Sequence, residues 1–279
     1  MNILTFDIEE WFHCDFISDH STWAHYETRI HHSTEKILQL LDDKNRKGTF
    51  FILGWIAENY PEVVKSIYNQ GHEIGCHSLF HGLVHQMEPN DFFQDTEKSI
   101  KSLEDITGEK VVIYRAPGFS ITENTPCAFE ILHQLGIEID CSVFPSKHDY
   151  GGFPNFGESN PSRVRYNGIE IKEFPMNTYK ILNHDVVFSG GGFFRLIPYP
   201  LIKKWTTRSS YVMSYFHPRD FDYGQPMLPQ LSIMRKFKSY YGLKGAYKKF
   251  EKWLNDFETI SLFQADEKID WDKTKIISL

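Results

Sequence analysis

His77 and His81 stand in an H-x-x-x-H spacing, which sets two imidazoles on one face of a helix or folds them inward from a turn around one metal ion. Spacing alone carries little weight. With 13 histidines in 279 residues about 0.6 such pairs arise by chance, and His81 with His85 already makes a second. A hydrolytic site also needs a hard oxygen ligand, and the first apolar run ends in three acids, Asp7, Glu9 and Glu10. Alternation along an extended chain aims Asp7 and Glu9 to one side and Glu10 to the other. Ile3, Leu4 and Phe6 read as buried, so Asp7 is an acid at the end of a core strand, whereas Glu10 reads as a solvated one.

The elements that must position these residues alternate. Apolar or β-branched runs predict strands over 2–7, 48–53, 72–76, 111–114, 137–140, 169–174, 211–216 and 259–263. Helical periodicity predicts helices over 33–47, 61–69, 89–106, 122–136, 198–208, 229–240 and 244–256, and residues 142–167 read as loop. Seven or eight βα-like units in a chain without repeats or linkers imply an α/β barrel in one domain, 1–279, with a helical C-terminal elaboration over 219–279. Asp7 and Glu9, His77 and His81, Arg115, Asp140 and His217 each follow the C-terminal end of a predicted strand. In a (β/α) barrel those ends converge on one mouth, so residues far apart in sequence meet there.

Composition excludes other classes. A formal charge of −7 without a cationic block argues against a nucleic-acid surface, which needs clustered cations. No run approaches the ~20 apolar residues of a membrane span. The start, MNILTFDIEEWF, has no cationic stretch before an apolar one, which predicts cytoplasmic residence, or a place at the inner face of a membrane if the substrate is lipid-linked. Cys14, Cys76, Cys127 and Cys141 lack CxxC spacing and read as reduced thiols. Aromatic residues make up 15%, a share that suits carbohydrate binding without proving it.

Five motifs in order carry a resemblance: Thr5-Phe6-Asp7-Ile8-Glu9, the segment from Gly71 through His72, Glu73, Ile74, Gly75, Cys76 and His77 to His81, Arg115-Ala116-Pro117-Gly118, Asp140-Cys141-Ser142 and Phe216-His217-Pro218. Together the chain resembles the polysaccharide deacetylases, the NodB-homology fold of carbohydrate esterase family four. DIEEWF, YRAPGFSI, GGGFFRL and YFHPRD resemble the subgroup found beside exopolysaccharide and surface-glycan assembly genes. The resemblance implies a distorted (β/α) barrel of about seven strands and hydrolysis of the N-acetyl group of an amino sugar. It also implies one divalent metal, zinc first, with cobalt, nickel or iron suiting the same ligands.

Carried onto this chain, the resemblance makes Glu9, His77 and His81 the metal ligands and Asp7 the base, the reverse roles of Asp7 and Glu9 being the alternative. His217 becomes the acid that protonates the leaving amine, and the Gly118 amide an oxyanion donor. Arg115 is expected to orient Asp7, and Asp140 to keep His217 cationic. The chain departs from the family in spacing its two acids as Asp7 and Glu9, where the family pairs adjacent aspartates, and in placing Cys76, read as a buried inert thiol, where the family has asparagine. The Gly190-Gly191-Gly192 triplet either cradles a glycosyl or anionic group or permits a tight turn, and Arg195 favours a ligand contact. The implied partner is an N-acetylated saccharide, free, nucleotide-linked, lipid-linked or polymeric. An iron oxygenase fits poorly with the βα alternation, and a sugar-binding relic is expected to lose Asp7 or His217. A deformylase would keep the chemistry on a smaller acyl group.

Overall fold

The strand Thr5–Ile8 is buried at every position and pairs in parallel with Thr49–Ile52. In a computed structural model describing residues 1–13, 17, 19–147, 151–181 and 184–279, this pair opens a longer series. Glu73–Cys76, Ile113–Tyr114, Ile139–Asp140 and Ile169–Glu173 follow in spatial order, each parallel to the last. On the other edge of Thr5–Ile8 the sheet curls back. The Phe216 amide donates to the Thr5 carbonyl at 3.2 Å, and the Asp7 amide to the Phe216 carbonyl at 2.8 Å. Beyond Phe216, the Tyr215 amide reaches the Ser189 carbonyl at 3.3 Å. The remaining gap is bridged by side chains: Asn177 Oδ1 accepts from the Met213 amide at 2.8 Å, and the Tyr211 hydroxyl donates to the Pro175 carbonyl at 2.7 Å. The fold is thus a distorted (β/α) barrel of about seven strands.

Strand alternation sorts the core into two layers. Phe51, Ile113, Ile139, Phe174 and Met213 fill the barrel, while Phe6, Phe50, Ile52 and Phe216 face the surrounding helices. Helices Ile30–Asp43, Pro61–Asn69, Pro89–Thr107, Cys127–Gln134, Tyr199–Arg208 and Leu243–Asp256 pack outside, all within four residues of the predicted ends except Cys127–Gln134, which starts five residues later than expected, after Pro126. A short helix, Gly54–Asn59, follows Thr49–Ile52 directly. Among the described residues, no helix is long and apolar enough to cross a membrane. Cys76, Cys127 and Cys141 are free thiols, and Cys14 lies outside the described residues.

The structure corrects several expectations. Residues 142–167 are not all loop: Ser162–Tyr166 pairs antiparallel with Ile169–Glu173. The joining residues Asn167 and Gly168 have φ of 45° and 84°, the double left-handed geometry of a two-residue hairpin that Asn-Gly favours. The C-terminal strand Ile276–Ser278 then extends the sheet beside it. The predicted strand over 259–263 reduces to a bridge between Ile3 and Ile260. Ser261 and Gln264 form a capping box there and start the helix Leu262–Asp266 instead.

Glu10 is also not solvated. It is 1% exposed, and its Oε1 accepts from the backbone amides of Arg29 at 2.6 Å and Ile30 at 2.8 Å. A carboxylate from the first strand's exit thus satisfies the open amides of the helix Ile30–Asp43, where no local side chain caps it. Glu10→Ala is expected to lower the unfolding free energy by about 2 kcal/mol, and Glu10→Gln by less, since the amide oxygen still accepts. Urea denaturation of the two variants checks the order.

Candidate active site

The exits of the strands gather the chemistry at one mouth. Glu9, His77 and His81 place ligand atoms within 4.8 Å of one another, the one such cluster found among the described residues. His77 is buried, and its Nδ1 lies 2.8 Å from the Arg115 carbonyl. A carbonyl accepts only, so Nδ1 carries the proton and Nε2 keeps its lone pair. Burial pushes the His77 ring down to about 4, so it is neutral, as a ligand must be.

His81 reaches the cluster from a turn, not a helix. Ser78 and His81 have φ of 68° and 58°, a left-handed geometry uncommon for residues with a side chain. The turn is held from several sides: the Gly54 amide donates to the Ser78 carbonyl, the Leu79 amide to Asp95 Oδ2 and the His81 amide to Ser78 Oγ. His81 Nε2 comes within 2.8 Å of Glu9 Oε2, yet that buried oxygen has no hydrogen-bond partner. Burial alone would raise the Glu9 carboxyl, but His81, His217 and His77 hold it below its ordinary value. Two imidazoles and an ionised carboxylate oxygen without a hydrogen-bond donor form a donor set that fits a divalent cation. Cys76 stays out of it: its thiol donates to Ser99 Oγ at 3.3 Å, and burial pushes it up to about 12.

Asp7 faces the same mouth, as strand alternation predicts. Arg115, fully buried, donates through one terminal nitrogen to Asp7 Oδ1 at 2.7 Å and to Thr5 Oγ1 at 2.7 Å, with its guanidinium 4.1 Å from the centre of the Phe51 ring. His217 Nε2 lies 3.8 Å from both Asp7 Oδ2 and Glu9 Oε1. Gly118 follows Pro117 at the same rim, with φ 60° and ψ 18°. His85 is exposed and outside the cluster.

Two expected contacts lie elsewhere. The carboxylate at His217 is Asp220, not Asp140: Asp220 Oδ2 accepts from the His217 amide at 3.0 Å and lies 2.9 Å from His217 Nδ1. Asp140 is the acceptor of the Ser142 hydroxyl at 2.5 Å, and that hydroxyl in turn accepts from the Ala116 amide at 2.8 Å. Asp140 therefore braces the loop that carries Gly118. It also faces Glu173 across the sheet, and burial raises both carboxyls.

Arg195 does not point to an open ligand site either. It is 7% exposed, with Nε 3.0 Å from Asp220 Oδ1 and its terminal nitrogens on the carbonyls of Lys238, Ser239 and Tyr241. The glycine triplet has a packing cause, because a Cβ at Gly190 would stand 1.8 Å from the Tyr215 carbonyl oxygen. Asp220 has a signal in the sequence: in H-P-R-D, proline opens a tight turn and an acid three residues on can reach back to the residue before it.

Burial opposes charge on His217, but the Asp220 hydrogen bond and the nearby Glu9 and Asp7 raise the ring to about 9 from an ordinary 6.5. In the metal-free protein the charged ring therefore contributes stability in full below about 6.5 and loses it as pH rises through about 9. An NMR titration of metal-free protein is expected to find His217 near that value. Asp220→Asn should move it to lower pH, while Asp140→Asn should leave it in place. A value unmoved by Asp220→Asn assigns the shift to Glu9 and Asp7.

Residues 3–139 match the polysaccharide deacetylase family, and residues 141–265 match a domain of unknown function, DUF3473. Among curated proteins, the chain is similar to a peptidoglycan-N-acetylglucosamine deacetylase of Bacillus cereus, 36% identical over 91 residues that cover 33% of each protein. It is also similar to chitin deacetylase 1 of Saccharomyces cerevisiae, 29% identical over 107 residues, 38% of this chain and 34% of that one. The chain thus spans about a third of the length of these relatives. Among solved structures, one from Mycobacterium smegmatis assigned to the polysaccharide deacetylases superposes with a TM-score of 0.67 at 20% identity, over 99% of this chain and 92% of that one. A CE4 family pseudoenzyme from Bacillus anthracis superposes with a TM-score of 0.52 at 11% identity, over 100% of this chain and 69% of that one. At these identities the two structures speak for the fold alone. The match over residues 3–139, carried by a barrel whose mouth collects the motif residues, means that this part of the chain is a polysaccharide deacetylase domain.

Proposed function

We propose that this protein is a metal-dependent hydrolase that removes the N-acetyl group from an amino sugar and releases acetate. The observation that carries the reading is the position of His217 Nε2, 3.8 Å from Asp7 on one side and from Glu9, a member of the Glu9, His77 and His81 cluster, on the other. A base, an acid and a cation site thus meet at one mouth of the barrel. The B. cereus and yeast relatives are named for peptidoglycan and chitin, both polymers of N-acetylated amino sugars, which supports that substrate class. The B. anthracis pseudoenzyme shows that the fold alone does not carry activity, so the argument rests on the side chains, and this chain has both Asp7 and His217.

Glu9, His77 and His81 would hold the cation, zinc first, with cobalt, nickel or iron as alternatives, and it would polarise the acetyl carbonyl and ease ionisation of a water. Asp7, aimed by Arg115, takes the proton of the attacking water. The Gly118 amide, on a loop held by Ser142 and Asp140, donates to the oxygen on which negative charge develops. His217, kept protonated by Asp220, delivers its Nε2 proton to the sugar nitrogen, since an amine anion leaves too poorly to go alone. Asp220 in turn is held by Arg195.

Chelation is expected to abolish acetate release. His77→Ala, His81→Ala and Glu9→Ala should each lose metal on elemental analysis, whereas His85→Ala retains it. Asp7→Asn should keep metal and lower kcat about 10³-fold. Full metal occupancy in the histidine variants would overturn the ligand set, and metal loss in Asp7→Asn with retention in Glu9→Ala would exchange the two carboxylates. Mass spectrometry of an N-acetylated oligosaccharide should record the loss of one acetyl group, and formate instead of acetate would point to a deformylase.

A further inference from the structure

On the strand Ile169–Glu173, alternation puts Ile169, Ile171 and Glu173 on one face. Both isoleucines pack in the hydrophobic core, so an acid continues an apolar row. Glu173 is fully buried and stands in register with Asp140 on the neighbouring parallel strand, itself fully buried. Two carboxylates side by side in a low-dielectric interior do not both ionise unless a cation joins them. Among the described residues neither has an ion-pair partner: Arg115, the cation whose field reaches Glu173, is paired to Asp7. Tyr114, in register with Asp140 on its other side, Cys141 and Tyr211 are the further titratable groups around the pair, and burial keeps all three neutral. Ser162, in register with Glu173 on the outer strand, carries no charge, and the helix Cys127–Gln134 that packs on this strand buries only Ala128, Phe129, Ile131 and Leu132.

Hydrogen bonds decide which of the two carries the proton. Asp140 accepts from the Ser142 hydroxyl at 2.5 Å and from the Ser142 amide at 3.2 Å, and each donor favours the ionised form. Glu173 accepts from the Val143 amide at 3.1 Å through Oε1, while its buried Oε2 meets no donor. The two carboxyls lie within hydrogen-bonding reach of each other. An orphaned Oε2 is satisfied there as a hydroxyl that donates to Asp140. Burial and the Asp140 charge raise the Glu173 carboxyl well above its ordinary value, in agreement with that placement.

We propose that Glu173 is a positioning residue of the site, a neutral acid that donates to the Asp140 carboxylate so that the two, sharing one proton, clamp the turn after Asp140. The clamp grips from two sides, because Asp140 holds Ser142 and Glu173 holds the Val143 amide. Its effect reaches the mouth through the Ser142 hydroxyl, whose proton is committed to Asp140 and whose oxygen accepts from the Ala116 amide at 2.8 Å, two residues before Gly118. An ionised Glu173 would set two like charges against each other and loosen that brace. Glu173 lies in the stretch 141–265, so that stretch supports a loop of the deacetylase match. The effect on catalysis rests on the deacetylase reading, in which the Gly118 amide meets the developing oxyanion, whereas the shared proton does not.

Stability against pH reads the proton without reference to activity. A neutral Glu173 keeps its proton in the folded chain and loses it in the unfolded one above the ordinary carboxylate value of 4.5, so the wild type loses stability as pH rises from there toward the raised folded value. Glu173→Gln offers the same donor and acceptor with no proton to lose, so its melting temperature relative to wild type is expected to climb between about pH 5 and about pH 8. An ionised Glu173 gives the opposite slope, and that result overturns the proposal, as does a Glu173→Gln chain that fails to fold. Carboxyl carbon NMR of glutamate-labelled wild type at neutral pH is expected to show a protonated resonance that Glu173→Gln lacks, and its absence from wild type is equally fatal. On an N-acetylated oligosaccharide, Glu173→Met should lower kcat about tenfold with KM and metal content little changed, and Glu173→Gln should restore it. If the Met variant does not fold, Ser142→Ala reads the same brace and should lower kcat by a similar factor. Equal losses in the Gln and Met variants, or none in Glu173→Met, remove Glu173 from the site. A wild type that shows the protonated carboxyl and releases no acetate sinks the deacetylase reading and leaves the clamp standing.

Discussion

The buried pair of Arg115 and Asp7 is the interaction on which the rest of the site depends. A buried ion pair does little for stability on balance, but removing one partner strands the other charge in a low-dielectric interior at a cost of several kcal/mol. Arg115 is tied further by its stack on Phe51 and its bond to Thr5, so the carboxylate it holds cannot drift toward the neighbouring histidines. The same residue works through its main chain, because its carbonyl sets the tautomer of His77. One position thus orders Asp7 and His77 together.

The second half of the site comes from another part of the chain. The boundary between the two family matches falls between Ile139 and Cys141, so Asp7, Glu9, His77, His81, Arg115 and Gly118 lie in one and His217, Asp220 and Arg195 in the other. They are brought into register by backbone bonds between Phe216 and the strand Thr5–Ile8, which close that side of the barrel. Phe216 packs on Phe6, Phe194, Phe221, Phe250 and Trp253, so closure of the barrel and attachment of the C-terminal helices are one packing event. The C-terminal part is therefore no appendage to a finished site. It supplies the carboxylate that keeps His217 charged and the arginine that holds the carboxylate.

Local regularity is legible in the order of the residues. The alternation of apolar runs and amphipathic stretches, the prolines opening the helices Pro61–Asn69 and Pro89–Thr107, and the acids and histidines at strand ends all express short-range physics, so the βα series and most of the mouth follow from them. The Asn167-Gly168 hairpin and the Ser261 capping box are equally local signals. Hydrophobic patterning without them misplaces a strand at each end of the sheet.

Partnerships across the chain are of another kind. That Glu10 turns inward depends on a helix beginning twenty residues later with unsatisfied amides, and that Arg195 faces Asp220 depends on where the helix Gly191–Leu196 docks. Asp140 and Asp220 are indistinguishable as partners for His217 by residue type, since a carboxylate is required and either supplies one. Only the turn after Pro218 brings Asp220 to 2.9 Å while the sheet directs Asp140 to Ser142. Residue identity thus determined which chemistry the chain could perform, because donors, acids and bases are properties of single side chains. Which of them share a hydrogen bond was decided by tertiary packing, because that depends on the distance and angle between elements that no local pattern encodes.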